Sequence, residues 1–271
     1  MSITGFLHPG AMGVTIAAAC SGERFWCSDG RSDTTRARAE SAGLSEARTA
    51  AEFVEHCDTI VSVCPPGEAE AIAQQIAAAG FDGLYVDANA VAPATTQRIG
   101  QHFDRYVDGG IIGPPATVPG MTRLYLSGDE AAAVAERWQG SLLDARAIEG
   151  GVGAASAVKM LFAAWGKHNS ALMLAINAVA DAFGVTDAIR SEWEISQPEY
   201  LAQSEHAARG AAPKAWRFEG EMDEIAATFE AAGLPPDFHR GAAEVYRRMA
   251  GFKDAATPAD LDQVIAVLLG R

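Results

Sequence analysis

Gly5-Phe6-Leu7-His8-Pro9-Gly10-Ala11-Met12-Gly13 decides how the rest of the chain is read. Ahead of this turn lies a short apolar run, Ile3–Leu7, with strand character, and behind it an alanine-rich stretch, Met12–Ser21, with helix character. A glycine-rich turn between a strand and a helix is where a backbone can approach a pyrophosphate. In G-x-G-x-x-G the middle glycine removes a side chain at the anion and the last permits close helix–strand packing. Gly10 and Gly13 fill these two positions, while His8 takes the first. An ordinary β–α turn is the competing reading. If the turn holds a dinucleotide, every residue from Leu7 to Gly13 is a candidate contact.

Short apolar runs alternate with amphipathic stretches through the first 150 residues. Candidate strands are Ile3–Leu7, Arg24–Ser28, Thr59–Cys64, Leu84–Asp87, Arg105–Asp108 and Thr122–Ser127; helical stretches include Met12–Ser21, Thr34–Ala42 and Glu68–Ala79. Such alternation predicts βαβ units and a parallel sheet. The cluster Gly150-Gly151-Val152-Gly153 ends the pattern, and from Ala154 onward only helices are expected. The fold class is therefore α/β. A Rossmann-like parallel-sheet domain over 1–150 is followed by an all-helical domain over 151–271, joined by a long interdomain helix.

That helix is predicted over Ala154–Phe183. Val158, Phe162, Trp165, Leu172, Ile176, Val179 and Phe183 recur at helical spacing as one apolar stripe, read as the buried side. The neighbouring face, Lys159, Ala163, Gly166, Ser170, Asn177 and Asp181, is small and polar and reads as a narrow groove with one lysine. The stripe exceeds what one small helical domain readily buries, so a homodimer through the helical half is expected.

After the second strand comes Asp29-Gly30-Arg31-Ser32. Asp29, 16 residues beyond Gly13, stands near where an acid grips the ribose hydroxyls of NAD. Arg31 and Ser32, with Arg36 in support, offer a charge and a hydroxyl to a 2′-phosphate instead. The reading favours NADP, with NAD as the alternative; a solvated turn is the bland one.

Composition narrows the classes. The chain has 271 residues, 49% hydrophobic and 21% charged, which fits a globular protein with a sizeable core and excludes a disordered chain, a collagen-like fibre and a coiled-coil rod. Lys plus Arg number 21 against 35 Asp plus Glu, a formal charge of −14. Such a surface repels phosphate backbones and anionic lipid, so neither nucleic acid nor a membrane is expected as the main partner. The partner expected is a small-molecule substrate. Cys20, Cys27, Cys57 and Cys64 form no C-x-x-C pair and read as free thiols, and the six histidines are scattered, so no metal site is expected. There is no long uncharged apolar span and no basic leader, so a cytoplasmic protein is expected.

The motifs, taken together, resemble the β-hydroxyacid dehydrogenase and 6-phosphogluconate dehydrogenase-like superfamily, to which imine reductases also belong, and more closely its branch with a short helical C-terminal domain. The resemblance runs over nearly the whole chain. It rests on Gly5-Phe6 with Gly10, Met12 and Gly13; on the turn Cys64-Pro65-Pro66; on Val86-Asp87-Ala88-Asn89 leading to Pro93; on Asp108-Gly109-Gly110-Ile111-Ile112-Gly113-Pro114, where the family carries its substrate loop; and on Gly151-Val152-Gly153 ahead of Lys159. It implies nicotinamide near Asn89 and Lys159 as the catalytic pair, Cys64, Pro65, Pro66 and Asn89 as further cofactor contacts, and Gly110, Ile111, Ile112, Gly113, Lys159 and Ala163 as substrate contacts. A lysine there serves as general acid, protonating the oxygen that develops as hydride reaches a carbonyl carbon.

Three departures stand out. Ala163 replaces the family's asparagine four residues past the lysine, Ile112 replaces its serine, and Pro114, with no N–H, replaces a glycine. Gly113 keeps an N–H, and Thr117 or Thr122 offers a hydroxyl. Trp216, Phe218 and Met222 are read either as pocket lining or as ordinary packing. An NAD(P)-dependent dehydrogenase or reductase of a small hydroxy or keto compound is thus the leading expectation. An imine reductase and a catalytically silent dinucleotide-binding protein are the alternatives.

Overall fold

The computed structural model describes residues 2–271. The chain divides into two compact units, residues 1–160 and 161–271, and the division falls inside one long helix.

In chain order the first unit contains β1 (Ile3–Phe6), α1 (Ala11–Ala19), β2 (Glu23–Cys27), α2 (Asp33–Ser41), β3 (Ser45–Ala47), α3 (Ala50–His56), β4 (Thr59–Ser62), α4 (Pro66–Ala78), β5 (Leu84–Asp87) and α5 (Pro93–Gly100). Then come β6 (Arg105–Ile112), β7 (Thr122–Ser127), α6 (Ala131–Ala135), β8 (Leu143–Ala147) and the start of α7 (Ala154–Ala182). One eight-stranded sheet runs β3-β2-β1-β4-β5-β6-β7-β8, and every neighbouring pair is parallel except β6 and β7. Parallel strands are covered on both faces, which is why β4 and β5 are buried at every residue. Successive side chains point to opposite faces. Phe6, Val61 and Val86 accordingly join one core cluster with Ile16, Trp26 and Trp138, while their neighbours Leu7, Ile60 and Tyr85 join another with Phe53 and Ile99. Pro66 and Pro93 each open a helix, where a missing N–H costs no hydrogen bond.

Two strands escape the reading of the sequence, and both are sheet edges. β3 and β8 are short and partly exposed, and β8 carries Asp144 and Arg146, so neither shows the apolar run that marks a central strand. A second correction concerns Gly110, Ile111 and Ile112. They are not loop residues: β6 continues through them to Ile112, paired with β7 from Gly110↔Tyr125 to Ile112↔Arg123.

The second unit holds the remainder of α7 and α8 (Thr186–Ser196), α9 (Tyr200–Ala211), α10 (Ala215–Ala231), α11 (Asp237–Arg248) and α12 (Leu261–Leu268). Leu174, Met222, Ile225, Tyr246 and Val264 are fully buried here. Along α7 much of the stripe expected to be buried is open and part of the expected groove is buried, although Gly166 is exposed as expected. Ala163, Leu174 and Asn177 are buried, whereas Phe162 (57%), Trp165 (78%), Leu172 (47%), Val179 (54%) and Phe183 (78%) are open. The small residues let neighbouring helices approach closely, and the large apolar side chains stay outside. Asn177, expected in an open groove, instead donates to the Met173 carbonyl and to Ser204 Oγ. Met222 is core, not pocket lining, and Trp216 lies beneath Lys253 Nζ, 4.3 Å from its ring centroid.

Candidate active site

The glycine turn lies at the carboxyl end of β1 and opens α1. Leu7 N–H donates to the Val61 carbonyl (3.1 Å) and Gly10 N–H to the His8 carbonyl (2.7 Å), which fixes the bend. Any Cβ on Gly13 would run into the His8 carbonyl oxygen, so close packing of α1 on the strand end requires glycine there. Gly10 behaves differently: a Cβ on it would meet nothing within 4 Å. Gly10 is also the N-cap of α1, and no side chain caps that helix. Open space beside Gly10 and uncapped N–H groups are what a pyrophosphate needs. Pro9 is buried, Met12 is half-buried and Ala11 faces outward. The half-buried His8 imidazole has its pKa lowered to about 4 by burial and, secondarily, by the Arg31 charge, so it stands neutral beside the turn.

At the carboxyl end of β2 an open hollow is lined by Ser28, Asp29, Gly30, Arg31, Arg36, Glu46 and Arg48. Asp29 and Arg31 are thus brought together, and Ser32, the N-cap of α2, accepts from Thr35 N–H beside them. Arg36 is ion-paired with Glu46, whose carboxyl is held below its usual range by hydrogen bonds from Ser28 and Arg36. Arg31 and Arg48 make no ion pair among the described residues; both line the hollow with Asp29, and the Arg48 charge helps hold the Glu46 carboxyl down. Arg48 is the residue that reading along the chain missed. It follows β3, and only the β2–β3 pairing, Cys27↔Ala47, carries it beside Arg31.

Further along the sheet edge, the Cys64-Pro65-Pro66 turn follows β4. Asn89, 2% exposed, accepts from Cys64 N–H through Oδ1 (2.6 Å) and donates from Nδ2 to Ser62 Oγ (3.1 Å). Its own N–H donates to Asp87 Oδ1 (2.8 Å). The Asn89 side chain therefore holds the turn in place. The Cys64 thiol is pushed up to about 12 by burial and by the Asp87 charge, so it stays protonated.

Gly110 and Lys159 meet. A Cβ built on Gly110 would lie 2.6 Å from the Ala155 carbonyl oxygen and 2.8 Å from Lys159 Cβ. Glycine is thus required where the first turns of α7 cross β6, and the half-buried Lys159 is set directly over that strand. Ile111 and Ile112 are buried, and Gly113 is exposed with φ +123°. Ala163, one turn beyond Lys159, belongs to the second unit and is buried. Thr122 is fully buried and donates to the Pro114 carbonyl (2.6 Å), so its hydroxyl already has a partner; the exposed Thr117 hydroxyl donates to the Pro115 carbonyl at 3.5 Å. The four cysteines are free thiols. Among the described residues no group of His, Cys, Asp and Glu could hold a metal ion, and no helix is long and apolar enough to cross a membrane.

Comparison with known proteins defines the fold class. The chain superposes on a 3-hydroxyisobutyrate dehydrogenase of Mycobacterium tuberculosis, solved with L-serine, at a TM-score of 0.68 and 18% identity, covering 99% of both chains. It also superposes on a reductive aminase of Aspergillus terreus, solved with NADPH4, cyclohexanone and allyl amine, at a TM-score of 0.54 and 16% identity over 97% of this chain and 98% of that one. The resemblance read from the motifs is thereby met at the level of fold: a mostly parallel α/β sheet followed by an all-helical region, as in the 3-hydroxyacid dehydrogenases.

Two sequence matches are more particular. Residues 180–249 match a family model described as a domain of unknown function, DUF1932. An uncharacterized 28.5 kDa protein from the 7S RNA 5′ region of Methanothermus fervidus is 28% identical over 165 residues, 59% of this chain and 63% of that protein.

Proposed function

We propose that this chain is an NAD(P)-dependent oxidoreductase that prefers NADP and moves a hydride between nicotinamide and a small hydroxy or keto compound. One observation carries the reading. The open uncapped turn at Gly10, the arginine hollow after β2 and Lys159 over Gly110 all belong to the carboxyl side of the parallel strands of one mostly parallel sheet, the side on which ligands bind in open α/β folds. The solved relatives that share the fold include a reductive aminase holding an NADPH-type cofactor, which supports the cofactor class. Here the α1 N-terminus and the bare side of Gly10 would hold the pyrophosphate, and Arg31 and Arg48 the 2′-phosphate. Bound nicotinamide supplies or accepts the hydride. The Lys159 ammonium gives its proton to the substrate oxygen during reduction and takes one back during oxidation. Asn89 keeps the Cys64-Pro65-Pro66 turn fixed beside that chemistry.

A second copy of the chain is the natural cover for the apolar face of α7. Phe162, Trp165, Leu172, Val179 and Phe183 form a face whose exposure is unusual for a monomer and ordinary for an obligate interface.

Fluorescence titration of NADPH and NADH against the wild type, Arg31→Ala and Arg48→Ala tests the cofactor assignment. NADPH should bind more tightly, and each substitution should weaken NADPH by about 1.5–3 kcal/mol while barely moving NADH. Equal weakening, or tighter NADH binding by the wild type, would give the hollow to Asp29 and to NAD. Turnover is then screened with NADPH against ketones, ketone–amine mixtures and a cyclic imine, and with NADP against hydroxy acids. Consumption of NADPH with the cyclic imine alone would move the assignment to imine reduction. Binding without turnover across the panel would leave a dinucleotide-binding protein.

A further inference from the structure

We infer that Asp108 is the residue that positions Lys159; the inference rests on the reading of Lys159 as the proton-transfer group. Asp108 ends the stretch of β6 that pairs with β5, and it is fully buried. Among the described residues it forms no salt bridge. A buried carboxylate without a counter-ion persists only when hydrogen bonds replace its lost water. Five do so here. Oδ2 accepts from Gly153 N–H (3.0 Å), Ser156 N–H (2.9 Å) and Ser127 Oγ (3.1 Å), and Oδ1 accepts from Ser156 Oγ (2.6 Å) and Thr96 Oγ1 (3.2 Å).

Three of these donors belong to the beginning of α7 or the turn into it. The first N–H groups of a helix have no partner within the helix, and the helix start carries partial positive charge. Asp108 answers both needs, and Ser127 Oγ takes the N–H of Ala155 as well (3.0 Å). The helix start is therefore seated by tertiary contacts with β6 and β7.

The spacing then fixes the lysine. Asp108 and Gly110 are two residues apart on β6 and face the same side of the sheet. Ser156 and Lys159 are three apart on α7 and share a helix face. The Asp108–Ser156 bonds and the Gly110–Lys159 contact are thus two consecutive rungs between one strand and one helix. Both rungs hold the first turns of α7 in register with β6, and the Lys159 stem leaves the helix at one point over that strand. Asp108 touches neither cofactor nor substrate in this account; it acts through the lysine.

The test uses the full-length protein and carbon-13 reductive methylation of its four lysines, Lys159, Lys167, Lys214 and Lys253. The Lys159 resonance is assigned by its loss in Lys159→Met. Asp108→Asn keeps the volume, removes the charge and places a donor where the helix start needs an acceptor. The Lys159 resonance should move while the other three stay, and amide hydrogen exchange should quicken across 153–160. NADPH affinity should change by less than about 2-fold, because the turn and the arginine hollow lie on other strands. A folded Asp108→Asn protein with an unmoved Lys159 resonance overturns the inference. So does a common shift of all four resonances, which marks general loosening. Should Asp108→Asn fail to fold, Ser156→Ala removes one of the five bonds and is held to the same criterion, with a smaller shift expected. Unchanged turnover in Lys159→Met overturns the catalytic reading and not the placement, so the two failures are told apart.

Discussion

The sheet unit and the helical unit both hydrogen-bond buried polar groups, but they differ in the number of elements that gather at one such group. In the sheet unit a buried carboxylate and a buried carboxamide, Asp108 and Asn89, are surrounded by donors and acceptors drawn from several elements. In the helical unit the half-buried Lys167 pairs with the buried Glu221, and Tyr246 OH donates to the Lys167 carbonyl (2.7 Å). Yet His239, 5% exposed, packs between aromatic rings, its centroid 4.3 Å from Phe229, with neither ring nitrogen hydrogen-bonded. The outer surfaces differ as well, since large apolar side chains stand exposed along α7. The proposed function gives these two features different tasks, chemistry to the sheet unit and association to the helical unit.

Trp165→Asp is the strongest way to break this comparison. Replacing an aromatic anchor at the centre of an interface costs about 2–4 kcal/mol. Sedimentation at micromolar concentration should show dimers for the wild type and monomers for the variant. A wild type that sediments as a monomer would remove association from the account of the helical unit.

Acid gives a smaller effect that separates the units. The His8 pKa falls from the usual 6.5 to about 4 in the folded protein, and that of His239 is lowered too, by burial and then by the neighbouring His168 charge. The unfolded chain takes up protons that these folded histidines refuse. Their contribution is therefore complete above pH 6.5 and is lost as the pH falls, down to about 4 for His8. For the partly exposed His8 the loss is on the order of 1 kcal/mol. Denaturant melts from pH 7 to 4 should show the decline, and His239→Leu should flatten the part belonging to the helical unit. An unchanged pH slope in that variant would show that His239 contributes nothing to it.

How much of this could be read from the chain follows from how local each signal is. The turn at Gly10 and Gly13 was legible because strand, glycine spacing and helix are adjacent in sequence. The central strands were legible as apolar runs, whereas β3 and β8 were not, since an edge strand needs no such run. Amphipathic spacing on α7 identifies which side chains share a face but not what covers that face, so the spacing alone puts inside an apolar stripe that stands largely outside. Arg48 reaches Arg31 only through strand pairing. Asp108 gathers donors from Thr96, Ser127, Gly153 and Ser156, and no motif spans that range.

The most direct test of the central claim is Lys159→Met, measured for NADPH binding and for turnover of the best carbonyl substrate of the panel. The methionine keeps the aliphatic stem over Gly110 and removes the ammonium. Affinity for NADPH should stay within about 2-fold, and turnover should fall by ~10²–10⁴-fold, as for a lost proton-transfer group. Turnover near that of the wild type would contradict the account, reducing Lys159 to packing and sending the search for the acid elsewhere.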